Sequence, residues 1–213
     1  FSSDDVWTMF HSSSFDFSVW EIFGALLFGG RLVIVPQEII RDPELFGDLL
    51  VKEKVTKLSQ TPTAFYNTLN ELLKKHTQCN IDTVIFGGEA LMPYKLKDWA
   101  LKFPHIQLIN MYGITETTVH VTYKSIGEFE IEKNISNIGK PIPTLSGYVL
   151  DENGCVVPLG VVGELFVSGA GVCKGYLNQP ELTAINFLPN TFVKGEVMYK
   201  TGDLVRIMNN GEL

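Results

Sequence analysis

Thr83-Val84-Ile85-Phe86-Gly87-Gly88-Glu89 and, one helix-length later, Ile106-Gln107-Leu108-Ile109-Asn110-Met111-Tyr112-Gly113-Ile114-Thr115-Glu116-Thr117-Thr118 decide how this chain folds. Thr83 to Phe86 and Ile106 to Ile109 are short apolar runs of strand length, Gly87-Gly88 is a turn, and Pro93 to Phe103 between them reads as a helix. A strand, a helix of that length and a second strand form the repeating unit of a parallel sheet. The second stretch also carries the parts that hold a nucleotide. A ring can lie on a base, an amide can read its edge, a hydroxyl can meet a phosphate and a carboxylate can hold Mg²⁺. An edge strand followed by a polar turn gives the same letters, so this stretch alone leaves both readings open.

The alternation continues upstream. Ser14 to Gly30 reads as a helix with Val19/Trp20, Ile22/Phe23 and Leu26/Leu27 on one apolar face, closed by Gly29-Gly30. Arg31 to Val35 is a strand ended by Pro36. Asp42-Pro43 opens a helix as N-cap and N1, running to about Lys54. Val55 to Ser59 is a short strand, and Thr61-Pro62-Thr63 starts a helix with Phe65, Leu69, Leu72 and Leu73 on one face. Near Asn134 the pattern changes to short strands separated by turns such as Asp151-Glu152-Asn153-Gly154, with a further helix at Glu181 to Phe187. The expected fold is α/β: a mostly parallel sheet with flanking helices over residues 1–133, then a small, mainly antiparallel, barrel-like β region over residues 134–213.

The 213 residues carry a net charge of −7, with no basic stripe and no run of like charges, which argues against nucleic acid or an anionic membrane surface as partner. No apolar run approaches the roughly 20 residues of a membrane span. Cys79, Cys155 and Cys173 are odd in number and in no metal-ligand spacing, which fits a reduced, cytoplasmic compartment. The first residues, Phe1-Ser2-Ser3-Asp4-Asp5-Val6, read as mid-chain sequence, and the whole reads as a piece of a longer polypeptide.

Phe15-Asp16-Phe17-Ser18-Val19-Trp20-Glu21, Asn110 to Thr118, Gly163-Glu164-Leu165-Phe166-Val167-Ser168-Gly169-Ala170-Gly171-Val172-Cys173-Lys174-Gly175-Tyr176-Leu177 and Tyr199-Lys200-Thr201-Gly202-Asp203-Leu204 follow one another in that order. In order and separation they closely resemble the adenylation domains of nonribosomal peptide synthetases, over essentially the whole chain. That family belongs to the adenylate-forming superfamily, with acyl-CoA synthetases and firefly luciferase. The resemblance implies ATP-dependent activation of an amino acid to aminoacyl-AMP, with Mg²⁺, followed by transfer to the phosphopantetheine thiol of a carrier domain. It implies condensation and peptidyl-carrier domains in cis and a role in secondary-metabolite or antibiotic synthesis. The family's phosphate loop, hinge and C-terminal lysine are expected outside these residues, so the piece is expected to be inactive alone.

The resemblance also implies roles by motif position. Tyr112 and Gly113 would flank adenine, Asn110 would bond its amino edge, and Gly87, Gly88 and Glu89 would form the slot's other wall. Thr115 would contact the α-phosphate, Glu116 would coordinate Mg²⁺ and Asp203 would hold the ribose hydroxyls. Asp16 stands at the ammonium-binding position. Taken alone, an Asp beside Ser18 at a helix start reads as a cap. In the family context it is the carboxylate that meets an ammonium leaving water. The matching pocket positions are Asp16, Phe17, Trp20, Ser59, Ile85, Gly87, Met111, Val119 and His120, a set resembling the threonine-selecting pattern. It departs at Ser59, where that pattern has Asn, so serine and 2-aminobutyrate stay open beside threonine.

Some residues stay outside this scheme. His11 sits just upstream of Asp16, where some superfamily members place an aromatic gate. His76 and His105 read as surface residues, and Trp99 and Phe103 as core. Gly169-Ala170-Gly171 reads as a tight β turn, with Lys174 near the site. An acyl-CoA or aryl-acid ligase of the same superfamily is the first alternative, set apart by the carboxylate at Asp16. A non-catalytic scaffold with a degenerate site is the second.

Overall fold

A computed structural model describes residues 1–75 and 79–213. The elements run β1 (Val6–Met9), α1 (Phe17–Leu26), β2 (Arg31–Ile34), α2 (Gln37–Ile40), α3 (Pro43–Lys52), β3 (Lys57–Gln60), α4 (Pro62–Lys75), β4 (Thr83–Phe86), a 3₁₀ turn (Pro93–Leu96), α5 (Lys97–Lys102) and β5 (Gln107–Asn110). A second 3₁₀ turn (Thr115–Thr117), β6 (Thr122–Ser125), α6 (Glu128–Lys133), β7 (Lys140–Pro141), β8 (Leu145–Leu150), β9 (Val162–Gly169), α7 (Pro180–Asn186), β10 (Phe187–Pro189) and β11 (Val197–Arg206) follow. The chain forms two compact units: residues 1–110 with 125–136, and residues 111–124 with 137–213.

In the first unit the strands run parallel in the order β2-β1-β3-β4-β5. The order is built from right-sized crossovers, each strand followed by a helix. Register fixes the two faces. Leu58, Val84 and Leu108 stand side by side on one face and join Phe46, Leu50, Phe65, Leu72 and Trp99 of the flanking helices in the main core. Ser59, Ile85 and Ile109 share the opposite face by alternation. Trp7 is in register with Lys57 and so lies on that same face. Asp42 caps α3 as expected, its Oδ1 accepting from Glu44 N–H at 3.0 Å and Leu45 N–H at 3.1 Å. His105 is exposed, while Trp99 and Phe103 are core. His76 lies outside the described residues.

Helix α1 corrects the expectation for its buried face. Val19, Phe23, Leu26 and Leu27 are exposed, Leu27 by 73%, whereas Ser18, Glu21, Gly24 and Ala25 are buried. The cause is close packing on Trp7. A Cβ on Gly24 would stand 2.6 Å from the Trp7 ring, so only the bare backbone lets α1 sit that near the strand. The helix is also shorter than the sequence pattern suggests, beginning at Phe17. Pro93 to Phe103 is likewise split into a 3₁₀ turn and α5.

Glu21 is fully buried, and no Lys or Arg among the described residues pairs with it, yet its carboxylate is well met. Oε2 accepts from the N–H groups of Phe10 (3.2 Å) and His11 (3.1 Å), and Oε1 lies 3.0 Å from His11 Nδ1. These bonds pin the segment that leaves the carboxyl end of β1 onto α1.

In the second unit β10-β11-β9-β8 form a four-stranded antiparallel sheet in that order. Val121, Leu145, Leu165 and Val167 form one cluster of its core. The β9–β11 register shifts between Lys200 and Leu204. The irregularity is held by Thr201 Oγ1 donating to the Leu165 carbonyl at 2.7 Å and by Gly202 N–H donating to Glu164 Oε1 at 3.0 Å. Gly202 adopts φ +79°, a conformation glycine enters without strain. β6 and β7 pair antiparallel.

Replacing Glu21 with Ala leaves two part-buried N–H groups and the His11 Nδ1–H without this acceptor. The Glu21→Ala variant is expected to lose roughly 3–5 kcal/mol of stability in urea unfolding. A loss under about 1 kcal/mol would show that the carboxylate holds nothing in place.

Candidate functional site

In an open parallel sheet, ligands bind beyond the carboxyl ends of the strands. In the first unit the sequence-selected residues gather at such ends. Ser59 lies in the last residue pair of β3, Gly87, Gly88 and Glu89 leave β4, and Asn110 ends β5. Asp16, Phe17 and Trp20 open α1, the helix packed over the face that carries Ser59 and Ile85.

Asp16 occupies the N-cap position of α1 with φ −61° and ψ −21°, and its side chain makes no capping hydrogen bond. The cap reading of this residue is thereby set aside. Phe17 is buried and stacks on the His11 imidazole, with ring centroids 4.6 Å apart. Trp20 meets Trp7 edge-on at 5.9 Å. Gly88 has φ +79°, and a Cβ there would stand 3.3 Å from Phe15 Cζ, so the segment before α1 and the turn after β4 lie against each other. Ser59 is 1% exposed, and its hydroxyl has no hydrogen-bond partner among the described residues. Ile85 is buried next to it across β3–β4. Glu89 Oε2 accepts from the Thr63 N–H (3.1 Å) and hydroxyl (2.6 Å) in the first turn of α4.

The second unit holds the remaining candidates. After Asn110 the chain passes through Met111, which is buried, and doubles back. The Tyr112 carbonyl accepts from Val121 N–H (2.7 Å) and Thr122 N–H (3.0 Å). A Cβ on Gly113 would collide with the Val119 carbonyl oxygen. Thr118 and Val119 both adopt left-handed backbone, φ +64° and +66°. For a β-branched residue this is strained and needs outside support. Support comes from the 169–173 turn. Thr118 Oγ1 donates to the Gly171 carbonyl (2.7 Å), and Cys173 N–H donates to the Glu116 carbonyl (2.8 Å). A Cβ on Gly171 would stand 2.8 Å from the Thr117 carbonyl oxygen. Gly169-Ala170-Gly171 is thus a turn that lets two backbones touch, as its lack of a following helix suggested.

Two hydrogen-bonded sets stand on this frame. Tyr112 Oη donates to Asp203 Oδ2 at 2.6 Å, which joins the expected adenine and ribose residues directly. Burial and then that bond raise the Tyr112 hydroxyl well above the ordinary phenol range. Asp203 is presented by the β11 irregularity, its own N–H bonded to Thr201 Oγ1 at 3.1 Å. In the second set, Tyr176 Oη donates to Glu116 Oε1 at 2.6 Å and lies 3.0 Å from Tyr199 Oη. Burial pushes the Glu116 carboxyl up, but the Tyr176 and Tyr199 hydroxyls and its own backbone outweigh it, so Glu116 sits below its usual value. Burial pushes the His120 imidazole down to about 4, leaving it neutral near pH 7. Thr115 is exposed at the start of the 3₁₀ turn.

Glu116 fits a hard divalent cation by its chemistry. It is an ionised, half-buried carboxylate held by neutral donors, and among the described residues no Lys or Arg pairs with it. Among those residues no cluster of three or more metal-ligating side chains occurs. One carboxylate, with substrate phosphates and water, is the usual protein share of a Mg²⁺ site. Sequence reasoning assigned no role to Tyr176 or Glu21, although both stand inside the quoted motifs.

The profile of the AMP-binding enzyme family matches residues 1–177, and the chain belongs to that family. It is 55% identical to a plipastatin synthase polypeptide of Bacillus subtilis (strain 168), over all of this chain and 8% of that protein. It is 52% identical to a dimodular nonribosomal peptide synthase of the same organism, over all of this chain and 9% of that protein. With syringomycin synthase SyrB1 of Pseudomonas syringae pv. syringae it is 42% identical, covering all of this chain and 35% of that one. The chain therefore spans only a minor part of these relatives. The crystal structure of IdnL1 has the same fold, with a TM-score of 0.89 at 24% identity over all of this chain and 44% of that one.

Two outcomes are expected from this geometry. Gly113→Ala should force the Val119 carbonyl away and cost at least about 2 kcal/mol in denaturant unfolding. A neutral substitution would mean the two backbones do not touch. His120 should titrate by NMR near pH 4. Its folded value is depressed, so the stability it contributes is full above about pH 6.5 and is lost as pH falls from there toward 4. A midpoint near 6.5 would contradict its burial.

Proposed function

We propose that these residues form the amino-acid pocket and one side of the nucleotide site of an amino-acid adenylation domain in a nonribosomal peptide synthetase. The reaction is attack of the amino-acid carboxylate oxygen on the α-phosphorus of ATP, breaking the bond to pyrophosphate and forming aminoacyl-AMP. Threonine is the favoured substrate. The aminoacyl group then passes to the phosphopantetheine thiol of a carrier domain, with condensation and carrier domains in cis. A cytoplasmic setting suits this chemistry, and no helix among the described residues is long and apolar enough to cross a membrane.

The observation that carries the reading is Asp16. It is a half-buried carboxylate that stands at a helix start without capping the helix, and it supplies the counter-charge that an ammonium leaving water needs. Phe17 and Trp20 give the apolar surround. The Ser59 hydroxyl supplies a buried polar group for a substrate hydroxyl, which is the kind of contact that rejects an analogue lacking one. Neutral His120 adds a further hydrogen-bonding group, and Val119 suits a methyl group.

On the nucleotide side Tyr112 would present its ring to adenine while its hydroxyl holds Asp203 for the ribose. Asn110 would bond the base, beside Gly87 and Gly88. Thr115 would meet the α-phosphate. Glu116 would hold Mg²⁺, which when bound neutralises charge on the phosphate oxygens. Relatives named as peptide synthases support this assignment.

ATP–pyrophosphate exchange by the full-length protein, run across the amino acids, tests it. Threonine, or a close relative such as serine, should give the highest rate, and Asp16→Ala should lower exchange at least a hundredfold. Exchange with aryl or fatty acids alone would overturn the reading.

A further inference from the structure

The reading of Glu116 as the metal-binding carboxylate leaves open what holds that carboxylate still. We propose that Tyr176 is the positioning residue for Glu116, backed by Tyr199, so that the metal-binding carboxylate is oriented by a relay of two phenol hydroxyls. The proposal rests on the metal role of Glu116 given above.

Proton counting sets the direction of the relay. An ionised carboxylate only accepts, so the single proton of Tyr176 Oη goes to Glu116 Oε1, 2.6 Å away. The Tyr176 oxygen must then accept from Tyr199 Oη, 3.0 Å away. A chain of hydroxyls ending on a carboxylate strengthens each bond and fixes its geometry. The rings are braced as well. Phe187 meets Tyr176 edge-on at 5.4 Å and Tyr199 at 4.9 Å.

The backbone of Tyr176 is held independently. Its N–H donates to Thr183 Oγ1 of α7 at 2.9 Å, and Gly175, at φ +138°, lies so close to Thr183 that no Cβ fits. Three residues earlier, Cys173 N–H holds the Glu116 carbonyl at 2.8 Å. The 173–176 segment therefore grips Glu116 by main chain and side chain together. No Lys or Arg among the described residues pairs with Glu116, so the relay orients the carboxylate without neutralising it. That is the arrangement a cation site needs.

The test uses the full-length protein with a non-hydrolysable ATP analogue and follows Mn²⁺ binding by electron paramagnetic resonance. It is paired with exchange rates measured against free Mg²⁺ and against amino acid. Tyr176→Phe should weaken Mn²⁺ binding and raise the Mg²⁺ needed for half-maximal rate at least tenfold, with the amino-acid KM unchanged within twofold. Tyr199→Phe, should Tyr176→Phe fail to fold, should shift both in the same direction by about threefold. Glu116→Gln separates the two claims. If Glu116→Gln abolishes Mn²⁺ binding while both Tyr→Phe variants leave it unchanged, the relay is refuted and the metal role of Glu116 stands. If Glu116→Gln leaves binding intact, the metal role fails and the relay's purpose fails with it.

Discussion

A carboxylate taken out of water must be met by donors. Buried Glu21 is met by two backbone N–H groups and an imidazole and half-buried Glu116 by a phenol, while exposed Glu89 accepts from the Thr63 N–H and hydroxyl. Each of these bonds ties a loop at the edge of a sheet to an element with its own packing. The segment after β1 is tied to α1, the turn after β4 to α4, and the 3₁₀ turn at Thr115–Thr117 to the segment before α7. The loops that carry the candidate site are therefore positioned by acids.

Much of the first unit was legible in the sequence because its signals are local. Thr83–Phe86 is a strand with the bounds its apolar run implies, and Asp42-Pro43 starts α3 as N-cap and N1. The antiparallel sheet after residue 140 follows from short strands separated by turn residues such as Asp151, whose Oδ1 accepts from Asn153 and Cys155 N–H. The buried face of α1 was not legible. A helical wheel finds the apolar side, but Gly24 and Ala25 let the other side approach Trp7, and Glu21 is satisfied by hydrogen bonds that no periodicity records. β1 escaped for a related reason, since four residues with Trp7 and Thr8 adjacent give no clear alternation.

The site divides along the same line. Motif residues could be named in advance from their types, and Ser59, Gly87 and Asn110 stand at or just beyond the carboxyl ends of strands. What could not be read was which polar groups were already spoken for. Glu89, in the turn after β4, is bonded to the Thr63 N–H and hydroxyl of α4. Tyr176 lies 60 positions from Glu116, and only the fold shows them in hydrogen-bonding contact. The strain at Thr118 and Val119 is equally invisible in the letters, because neither residue type favours left-handed backbone.

In the proposed reading, amino-acid recognition turns on the carboxylate of Asp16. A crystal structure of the full-length protein with threonine and a non-hydrolysable ATP analogue addresses it most directly. The substrate ammonium should lie about 3 Å from an Asp16 oxygen, on the strand face that carries Ser59 and Ile85. An ammonium bound elsewhere, with the Asp16 carboxylate turned to bulk water or bonded to the first turn of α1, would contradict that role.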